Sequence, residues 1–334
     1  MSNHNISKIV AVTVTYNIDL SFEDSLQSYL PQVAVVVIVD NSTERDAQKR
    51  IRSIAQGQPE RIVLIQNGEN LGLAKAQNLG IEYALGMDAD WVLLMDDDSS
   101  AGPHMVEQLA QAGHAYTNDS DAAIIVPKYL EQSVKREAKF VTAPEGAYHW
   151  PKFAIEGFSG RPILHNLFIA ISSGSLINVH LFDEIGLIRE SFDIDYLDVD
   201  FCLRAISSGF RIIAVRDAEL YHNLGEQTEH KFLGYKFLAW NHSAKRRFSI
   251  YRNRTRIWRE YLFCFPGFVF FDVLAAMMDL FRIVMFEQQK SVKLGSVLKG
   301  VVIGLFSWEL RRQPNDTPQR RASGDAGSNK FSND

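Results

Sequence analysis

Short apolar runs alternate with longer segments of helical periodicity over the first 126 residues. The apolar runs, rich in valine, isoleucine and leucine, are typical of strands that are buried on both faces of a parallel sheet. The predicted strands lie at residues 9–15, 33–39, 61–65, 91–95 and 122–126. The helices predicted between them lie near residues 21–30, 44–56, 73–86 and 103–113. This alternation predicts right-handed βαβ units, and therefore an α/β fold with a mostly parallel sheet flanked by helices.

The pattern becomes irregular over residues 127–167, where we predict loops and short strands. Regular elements then return. Residues 168–179 have the composition of a strand with an interruption at residues 172–175, and residues 195–208 have helical spacing. Residues 211–215 predict one further strand, so the α/β pattern continues past the irregular region.

A basic segment and then a strongly apolar segment follow. Residues 244–262 place apolar residues at helical spacing among seven lysines and arginines. This is the pattern of a basic amphipathic helix that binds a membrane surface or a partner. Residues 262–286 are apolar but contain a proline, two aspartates and an arginine, so we expect a helical hairpin in the membrane interface rather than a spanning helix. A helix pair packed on the main domain is the alternative.

These changes in composition and periodicity predict that the chain is divided into three regions. Residues 1–243 would form the α/β domain, residues 244–312 the membrane-associating or packing helices, and residues 313–334 a polar tail that is disordered. The N-terminal segment is polar and has no signal-peptide pattern, so we expect a cytoplasmic protein.

Composition narrows the class of partner. The 334 residues carry a net charge of −5 and the isoelectric point is about 6.0, which gives no reason to expect a nucleic-acid partner. The two cysteines, Cys202 and Cys264, do not have the spacing of metal ligands, so neither a disulfide framework nor a zinc site is expected.

Three consecutive aspartates, Asp96 to Asp98, follow the predicted strand at residues 91–95. They should lie at the carboxyl edge of the sheet, where open α/β folds bind their ligands. Clustered carboxylates repel one another unless a cation lies between them, and Mg²⁺ is commonly held by one or two carboxylates together with substrate phosphates. The run therefore predicts a metal site for a phosphorylated substrate, with a solvated turn as the alternative.

Polar residues also follow the other strands of the first half and should reach the same edge. They offer hydrogen-bond acceptors for a base and a lysine for a phosphate, an inventory that fits a nucleotide-sized ligand. They are Thr15 and Tyr16 after the first strand, Asp40 after the second, and Asn70 and Lys75 after the third.

A second acidic cluster opens the predicted helix at residues 195–208. Four aspartates lie within residues 193–200, whereas a helix N-terminus needs only one or two acidic residues. Asp200 can pair with Arg204 one turn later, and a surplus carboxylate at a cleft is a candidate general base. Further on, His222 could complete a metal site with Asp98, although a lone histidine is more often structural.

Taken together, the motifs resemble the inverting glycosyltransferases of family 2, which have the Rossmann-like GT-A fold, and in particular their bacterial rhamnosyltransferase branch. The resemblance covers roughly residues 9–262. It is carried by Val12-Thr13-Val14-Thr15-Tyr16-Asn17, Val39-Asp40-Asn41-Ser42, Asn70-Leu71-Gly72, Asn78-Leu79-Gly80-Ile81, Met95-Asp96-Asp97-Asp98-Ser99, Asp195 to Arg204, His222-Asn223-Leu224-Gly225 and Tyr251-Arg252-Asn253.

The resemblance implies roles for the donor-side residues. Asp40 would bind the pyrimidine base and Asp96 would lie near the ribose. Asp98 would hold Mg²⁺ or Mn²⁺ on the diphosphate, with Asp96 and His222 as further candidate ligands. The remaining donor-binding residues would line or border the nucleotide and sugar pocket: Thr15, Tyr16, Asn70, Lys75, Ser173 and Gly174.

The resemblance also implies the base and the reaction. Asp198 would remove the proton of the acceptor hydroxyl, with Asp200 as the other candidate because Leu197 stands where the family often has an acidic residue. The expected reaction is the transfer of L-rhamnose from dTDP-L-rhamnose to a lipid-linked or growing cell-surface polysaccharide such as O-antigen. The enzyme would work on the inner face of the bacterial plasma membrane as a peripheral protein. The alternatives are a UDP-hexose donor (glucose or galactofuranose) and a catalytically silent glycan-binding module.

Overall fold

A computed structural model describes residues 8–131, 136–192, 194–222, 228–232 and 235–307. The predicted disordered tail at residues 313–334 lies outside the described residues, as do Asp193 and residues 223–225 of the motifs above. Within the described part of the chain, no helix is both long enough and apolar enough to cross a membrane.

The elements follow one another in the alternation that the sequence predicts. The strands are β1 (Ile9–Thr15), β2 (Val35–Asp40), β3 (Ile62–Gln66), β4 (Trp91–Asp96), β5 (Ser100–Ala101), β6 (Ala122–Glu131), β7 (Arg136–Glu137), β8 (Phe140–Thr142), β9 (Ala154–Glu156), β10 (Ile163–Leu164), β11 (Leu176–Asn178), β12 (Arg211–His222), β13 (Thr228–Phe232) and β14 (Tyr235–Ala239). The helices are α1 (Ser21–Tyr29), α2 (Arg45–Gly57), α3 (Leu73–Gly86), α4 (Met105–Ser120), α5 (Val179–Ile185), α6 (Leu197–Ser207), α7 (Ala244–Tyr261), α8 (Pro266–Phe286) and α9 (Lys290–Phe306).

The main sheet has the order β10-β12-β6-β11-β4-β1-β2-β3. Strands β4, β1, β2 and β3 are parallel, β12 is parallel to β6, and β11 runs antiparallel between β4 and β6. The chain winds from β1 to β3 in one direction and then returns to place β4 on the other side of β1. This reversal opens a crevice at the carboxyl ends of β1 and β4, which is where open sheets bind ligands.

Valine and isoleucine fill both faces of the central strands, as the apolar runs predicted. Val10, Val37 and Ile125 are fully buried. Helix α3 lies very close to the sheet, since a Cβ at Gly80 would be 2.3 Å from Val12 Cγ1. The loops that follow these strands are therefore held on a rigid base.

Two predicted elements differ from the structure. The strand predicted at residues 168–179 forms only as β11, because residues 168–171 are not part of a strand, whereas the predicted interruption at residues 172–175 is confirmed as a turn. The apolar segment at residues 262–286 is mainly one helix, α8, and not a hairpin. The chain turns after α8, and α9 then packs tightly on α7, where a Cβ at Gly300 would be 2.6 Å from the carbonyl oxygen of Phe248.

The prediction that α7 presents a basic face to its surroundings is wrong for three of its arginines. Arg247, Arg254 and Arg256 are buried. Arg247 forms ion pairs with Asp279 of α8 and with Glu287, which follows it. Arg254 pairs with Asp272 of α8 at 3.2 Å, and Arg256 Nη2 donates to Ser191 Oγ at 3.0 Å. All three guanidinium groups are held inside the protein, so they do not contribute to binding lipid.

Helix α7 is also part of the main core. Ile257, Tyr261, Phe265 and Phe268 belong to the same buried cluster as the sheet. In the structure, α7 and the start of α8 therefore pack directly on the α/β core. The domain boundary at residue 243 stays a prediction from the sequence.

Candidate active site

The acidic turn and the histidine meet because two strands pair beside them. Asp96 ends β4, and Asp98 lies in the turn that follows. The short strand β5 pairs with the end of β12, with Ser100 opposite Tyr221. His222 is the next residue, so this pairing brings its ring to the acidic turn across more than 120 positions of sequence.

The structure brings together the three residues proposed as metal ligands. One potential ligand atom each of Asp96, Asp98 and His222 lies within 4.8 Å of the others. His222 Nδ1 hydrogen-bonds Ser99 Oγ at 2.7 Å and lies 3.7 Å from Asp98 Oδ1. The bond to Ser99 fixes the ring orientation in the way that metal-binding histidines are commonly held. Ser99 was not predicted to have a role.

The charges of this cluster are poorly compensated by the protein itself. Burial raises the pKa of Asp96 to about 7, and the charges of Asp98, Asp97 and Asp198 add to the effect. Burial also raises the pKa of Asp97 to about 6, and it lowers the pKa of His222. Both effects disfavour the charged forms, which is the expected result for acids that crowd together in a partly buried site.

A divalent cation fits this donor set. Two carboxylates and one imidazole supply oxygen and nitrogen ligands, and a cation between them would offset both the burial and the repulsion that raise the pKa of Asp96. The side of this cluster that faces away from the sheet opens toward the crevice. Mg²⁺ or Mn²⁺ held by Asp96, Asp98 and His222 is therefore compatible with the residues present.

The predicted base-recognition residue, Asp40, is almost fully buried at the end of β2. Its Oδ1 accepts hydrogen bonds from Thr15 Oγ1 at 3.1 Å and from the backbone N–H of Ser42 at 3.0 Å. Its Oδ2 accepts one from Gln66 Nε2 at 3.1 Å. The structure therefore joins Thr15 and Asp40 directly. Gln66, which the sequence analysis did not single out, ends the next strand of the sheet and holds the same carboxylate.

Tyr16 connects the end of β1 to the acidic turn. Its side chain is half exposed, and its backbone N–H donates to Asp97 Oδ2 at 3.3 Å. Asp97 thus fixes the neighbouring loop and is not among the three clustered candidate ligands. The exposed ring of Tyr16 is left at the mouth of the crevice.

Asn70 and Lys75 lie at the rim rather than within this network. Asn70 Oδ1 accepts a hydrogen bond from the backbone N–H of Gly72 at 2.9 Å, and its residue is exposed. Lys75 is exposed on the first turn of α3. The loop that carries Asn70 is fixed to the edge by Asn41, whose Nδ2 donates to the Gly72 carbonyl oxygen at 3.2 Å.

Ser173 and Gly174 lie directly beneath the end of β4. The backbone N–H of Asp96 donates to Ser173 Oγ at 3.1 Å. Gly174 has φ +78°, and a Cβ there would lie 2.8 Å from Pro127 Cγ and 3.1 Å from Leu220 Cδ2. The turn therefore needs glycine at this position, both for its backbone conformation and for its close contact.

The two candidate bases have different surroundings. Asp200 is fully buried. Its Oδ1 accepts from Arg189 Nη1 at 2.7 Å, and its Oδ2 accepts from Arg204 Nε at 2.9 Å. Arg204 is the partner predicted from the spacing. With both oxygens bound by arginines, Asp200 is suited to hold α6 in place rather than to accept a proton from a substrate.

Asp198 keeps its carboxylate at the crevice. It is partly exposed, and its Oδ1 accepts the backbone N–H of Val199 at 2.8 Å. It lines a narrow, largely apolar pocket together with Leu94 and Cys202, and burial raises its pKa to about 6. Its charge contributes to the raised pKa of Asp96. The Asp198 carboxylate therefore interacts electrostatically with the acidic turn.

Comparison with known proteins decides the family. The family model described as glycosyl transferase family 2 matches residues 10–186, which is more than half of the chain. The chain belongs to glycosyltransferase family 2. The matched segment includes nearly all of β1, together with β2 and the acidic turn. The protein is therefore a glycosyltransferase.

Within family 2, the chain is similar to the rhamnosyltransferase branch. It is 29% identical over 255 residues to the dTDP-rhamnosyl transferase RfbF of Shigella flexneri, which covers 76% of this chain and 81% of that protein. The similarity extends well beyond the segment that the family model matches.

Solved glycosyltransferases share the GT-A fold of this chain. The Staphylococcus aureus TarS fragment 1–349 superposes with a TM-score of 0.53 at 16% identity, covering 88% of this chain and 81% of that one. GalNAc-T7, crystallised with UDP, GalNAc and Mn²⁺, superposes with a TM-score of 0.54 at 13% identity. That match covers 77% of this chain and about half (48%) of GalNAc-T7. Identities this low establish the fold alone.

Proposed function

We propose that the protein is an inverting, metal-dependent glycosyltransferase that moves L-rhamnose from dTDP-L-rhamnose to an acceptor hydroxyl. The observation that carries the proposal is the meeting of the Asp96, Asp98 and His222 cluster with Asp198 at one edge of the sheet. The identity of the sugar is supported by the similarity to RfbF, whose name specifies a dTDP-rhamnosyl donor.

The donor would lie across the carboxyl ends of β1, β2 and β4. Asp40 would accept a hydrogen bond from the pyrimidine base, in a position fixed by Thr15 and Gln66. A divalent metal held by Asp96, Asp98 and His222 would supply Lewis-acid stabilisation of the charge that grows on the leaving diphosphate. The remaining donor contacts that we propose come from the rim and the floor of the crevice: Tyr16, Asn70, Lys75, Ser173 and Gly174.

Asp198 would act as the general base. An aspartate with a pKa of about 6 is mostly ionised at pH 7 to 8, and it is a stronger base than an exposed aspartate. A single displacement needs one base on the acceptor side and no covalent intermediate, in contrast to the carboxylate pair of a retaining glycosidase. The pairing of Asp200 with two arginines is the reason that we assign the base to Asp198 alone.

A panel of nucleotide sugars tests the donor. We expect Mn²⁺-dependent binding and slow hydrolysis of dTDP-L-rhamnose, measured by calorimetry and product chromatography, in preference to UDP-glucose and UDP-galactofuranose. Selective use of a UDP-sugar would support the alternative donor and overturn the choice of rhamnose. Binding of a glycan without use of any donor would favour the silent module.

We also propose that the acceptor is lipid-linked and that the protein works on the inner face of the plasma membrane as a peripheral protein. The support is the set of exposed large apolar side chains on α8 and α9. Soluble monomers rarely expose so many large apolar side chains together. Its members include Phe270, Leu274, Met277, Met278, Val284, Met285, Val292, Leu298, Val302, Leu305 and Phe306.

Point substitutions test this attachment better than removal of the helices. Deleting the segment after residue 262 would also remove Asp279 and Glu287, and it would leave the buried Arg247 without its partners. Leu298 and Phe306 are 66% and 81% exposed, so Leu298→Asp and Phe306→Asp should leave the fold intact.

We expect each of these two variants to lower the partition coefficient on anionic phospholipid vesicles by about tenfold or more, since burying one such side chain is worth about 1.5–3 kcal/mol. Leu20→Asp is the matched control, because Leu20 is 78% exposed but directly precedes α1 and is not part of α8 or α9. Equal co-sedimentation of all three variants with vesicles would contradict the proposed attachment.

A further inference from the structure

The residue before α6 has an unusual backbone. Tyr196 has φ +71° and ψ 4°, a left-handed conformation that is rare for a bulky aromatic residue. Its side chain makes no capping hydrogen bond to the helix. Such a conformation persists only when surrounding contacts impose it, and it is most often found near functional sites. Asp198 follows two residues later.

The contacts that hold Tyr196 come from α7 and α8. Its hydroxyl donates to Asp272 Oδ1 at 2.8 Å and accepts a hydrogen bond from Arg254 Nε. The Arg254 guanidinium also lies 5.5 Å from the centre of the tyrosine ring. Asp272 is buried, and its Oδ2 accepts from Trp258 Nε1 at 2.7 Å. The hydroxyl of Tyr196 thus joins a buried polar network between the two helices.

The neighbouring residue is held by α7 as well. The side chain of Asn253 is fully buried, and its Nδ2 donates to the backbone carbonyl oxygen of Asp195 at 2.8 Å. Arg246 Nη2 pairs with the Asp195 carboxylate at 3.2 Å. Two consecutive residues of the loop before α6 are therefore fixed to helices that lie outside the α/β pattern of the first half.

This loop continues directly into the turn that carries the base. The Tyr196 carbonyl oxygen accepts the backbone N–H of Asp200 at 3.0 Å. Asp200 is in turn fixed from the other side by Arg189 and Arg204. Asp198 lies between these two anchors, so movement at Tyr196 is transmitted to its carboxylate.

We propose that Tyr196 and Asp272 are positioning residues for Asp198, and that α7 and α8 set the location of the catalytic carboxylate through them. This inference rests on the proposed function, in which Asp198 is the base. It assigns to the C-terminal helices a part in turnover that is separate from membrane attachment.

The test compares two Tyr→Phe variants at the same helix interface. Tyr196→Phe removes the hydroxyl that Asp272 and Arg254 hold. Tyr251→Phe is the matched control, since the hydrogen bonds described for its buried hydroxyl run to the Ala276 carbonyl oxygen at 3.2 Å and to Asp279 Oδ2 at 3.1 Å, both on α8. The rate is measured with Mn²⁺ on the nucleotide sugar that the unmodified protein hydrolyses fastest.

For Tyr196→Phe we expect kcat to fall by about 10- to 100-fold, because displacements of about 1 Å in a catalytic group have effects of this size. The donor KM should change less than about twofold, since none of the proposed donor-binding residues lies in the loop before α6. Amide hydrogen exchange at residues 199–201 should become faster. Tyr251→Phe should change none of these values comparably, although the thermal stability of both variants should fall.

Two results would overturn the positioning role: equal kcat in Tyr196→Phe and Tyr251→Phe, or equal exchange at residues 199–201. The exchange measurement needs no substrate, so it decides the matter even without turnover. Asp198→Asn, assayed in parallel, separates the two proposals. Full activity of Asp198→Asn would overturn the proposed base itself, whereas its inactivity combined with equal Tyr→Phe variants would overturn only the role of Tyr196.

Discussion

Replacing Asp198 by asparagine should lower kcat by about 10² to 10⁴, the usual contribution of a general base. Asparagine has nearly the same shape and can still accept the Val199 backbone N–H, but it cannot take a proton. Donor affinity, measured by calorimetry, should remain close to that of the unmodified protein. Asp183→Asn is the matched control, because Asp183 is an exposed aspartate on α5, outside the loop that carries Asp198. A kcat for Asp198→Asn equal to that of the control would contradict the assignment.

The same carboxylate should set the acid side of the pH–rate profile. Burial raises the pKa of Asp198 to about 6, and only the ionised form accepts a proton. Activity should therefore fall as the pH drops through 6, by about tenfold at pH 5 relative to the plateau. This profile is measured as kcat/KM at saturating Mn²⁺. An acid limb near pH 4, where an exposed aspartate titrates, would show that Asp198 does not set the acid side of the pH–rate profile.

Replacing Asp98 by asparagine should have the second large effect. Asp98 has a side chain that is 51% exposed, so the fold should tolerate the change. Loss of one charged ligand should weaken Mn²⁺ binding by at least about 100-fold, since even outer partners of metal ligands are worth 10- to 100-fold. Turnover at low Mn²⁺ should be lost almost completely. The measurement is a titration of donor hydrolysis with Mn²⁺.

Asp97→Asn provides the control for that titration. It removes one charge from the same turn, but Asp97 faces the backbone of Tyr16 and is not among the three clustered ligands. Its half-saturating Mn²⁺ concentration should therefore change far less than that of Asp98→Asn. Equal changes in the two variants would mean that the turn acts only through its total charge.

The first half of the fold follows closely from the apolar pattern. β1 and α3 have the bounds that were predicted, and the other central strands shift by one or two residues at most ends. A parallel sheet buries both faces of its strands, so its strands are continuous apolar runs that the sequence shows directly. β6 and β12 extend well past their predicted ends at residues 126 and 215. Their second halves alternate partly exposed polar residues with buried residues such as Tyr129, Ala218 and Leu220, so they lack the continuous apolar run of the central strands.

The C-terminal helices show what the local pattern conceals. Seven basic residues suggested a surface that binds lipid. Arg247 is instead buried against Asp279 and Glu287, more than thirty positions away. Asp272 and Asp279 counted in the sequence as interruptions of an apolar segment, whereas in the fold they are the partners of the arginines. Periodicity within one helix does not reveal partners on another helix. The sequence pattern therefore could not distinguish the buried arginines of α7 from arginines on its surface.

The choice between Asp198 and Asp200 has a similar explanation. Arg204 lies one turn after Asp200, so that pair was predictable from spacing. Arg189 lies in the preceding loop, and only the folded chain brings it to the second oxygen of Asp200. His222 meets Asp98 through the pairing of β5 with β12, a two-residue strand that no pattern indicates. Residue types thus marked the candidates, and long-range pairing distinguished among them.

The anomeric configuration of the transferred sugar tests most directly whether one base and one displacement operate at this edge. The measurement is NMR of the product formed from dTDP-L-rhamnose and Mn²⁺ with membrane glycolipid as acceptor. We expect a product with the configuration opposite to that of the donor, and no such product with Asp198→Asn. A product that retains the donor configuration would contradict this expectation, because retention requires a second nucleophile or a different geometry at the reacting carbon.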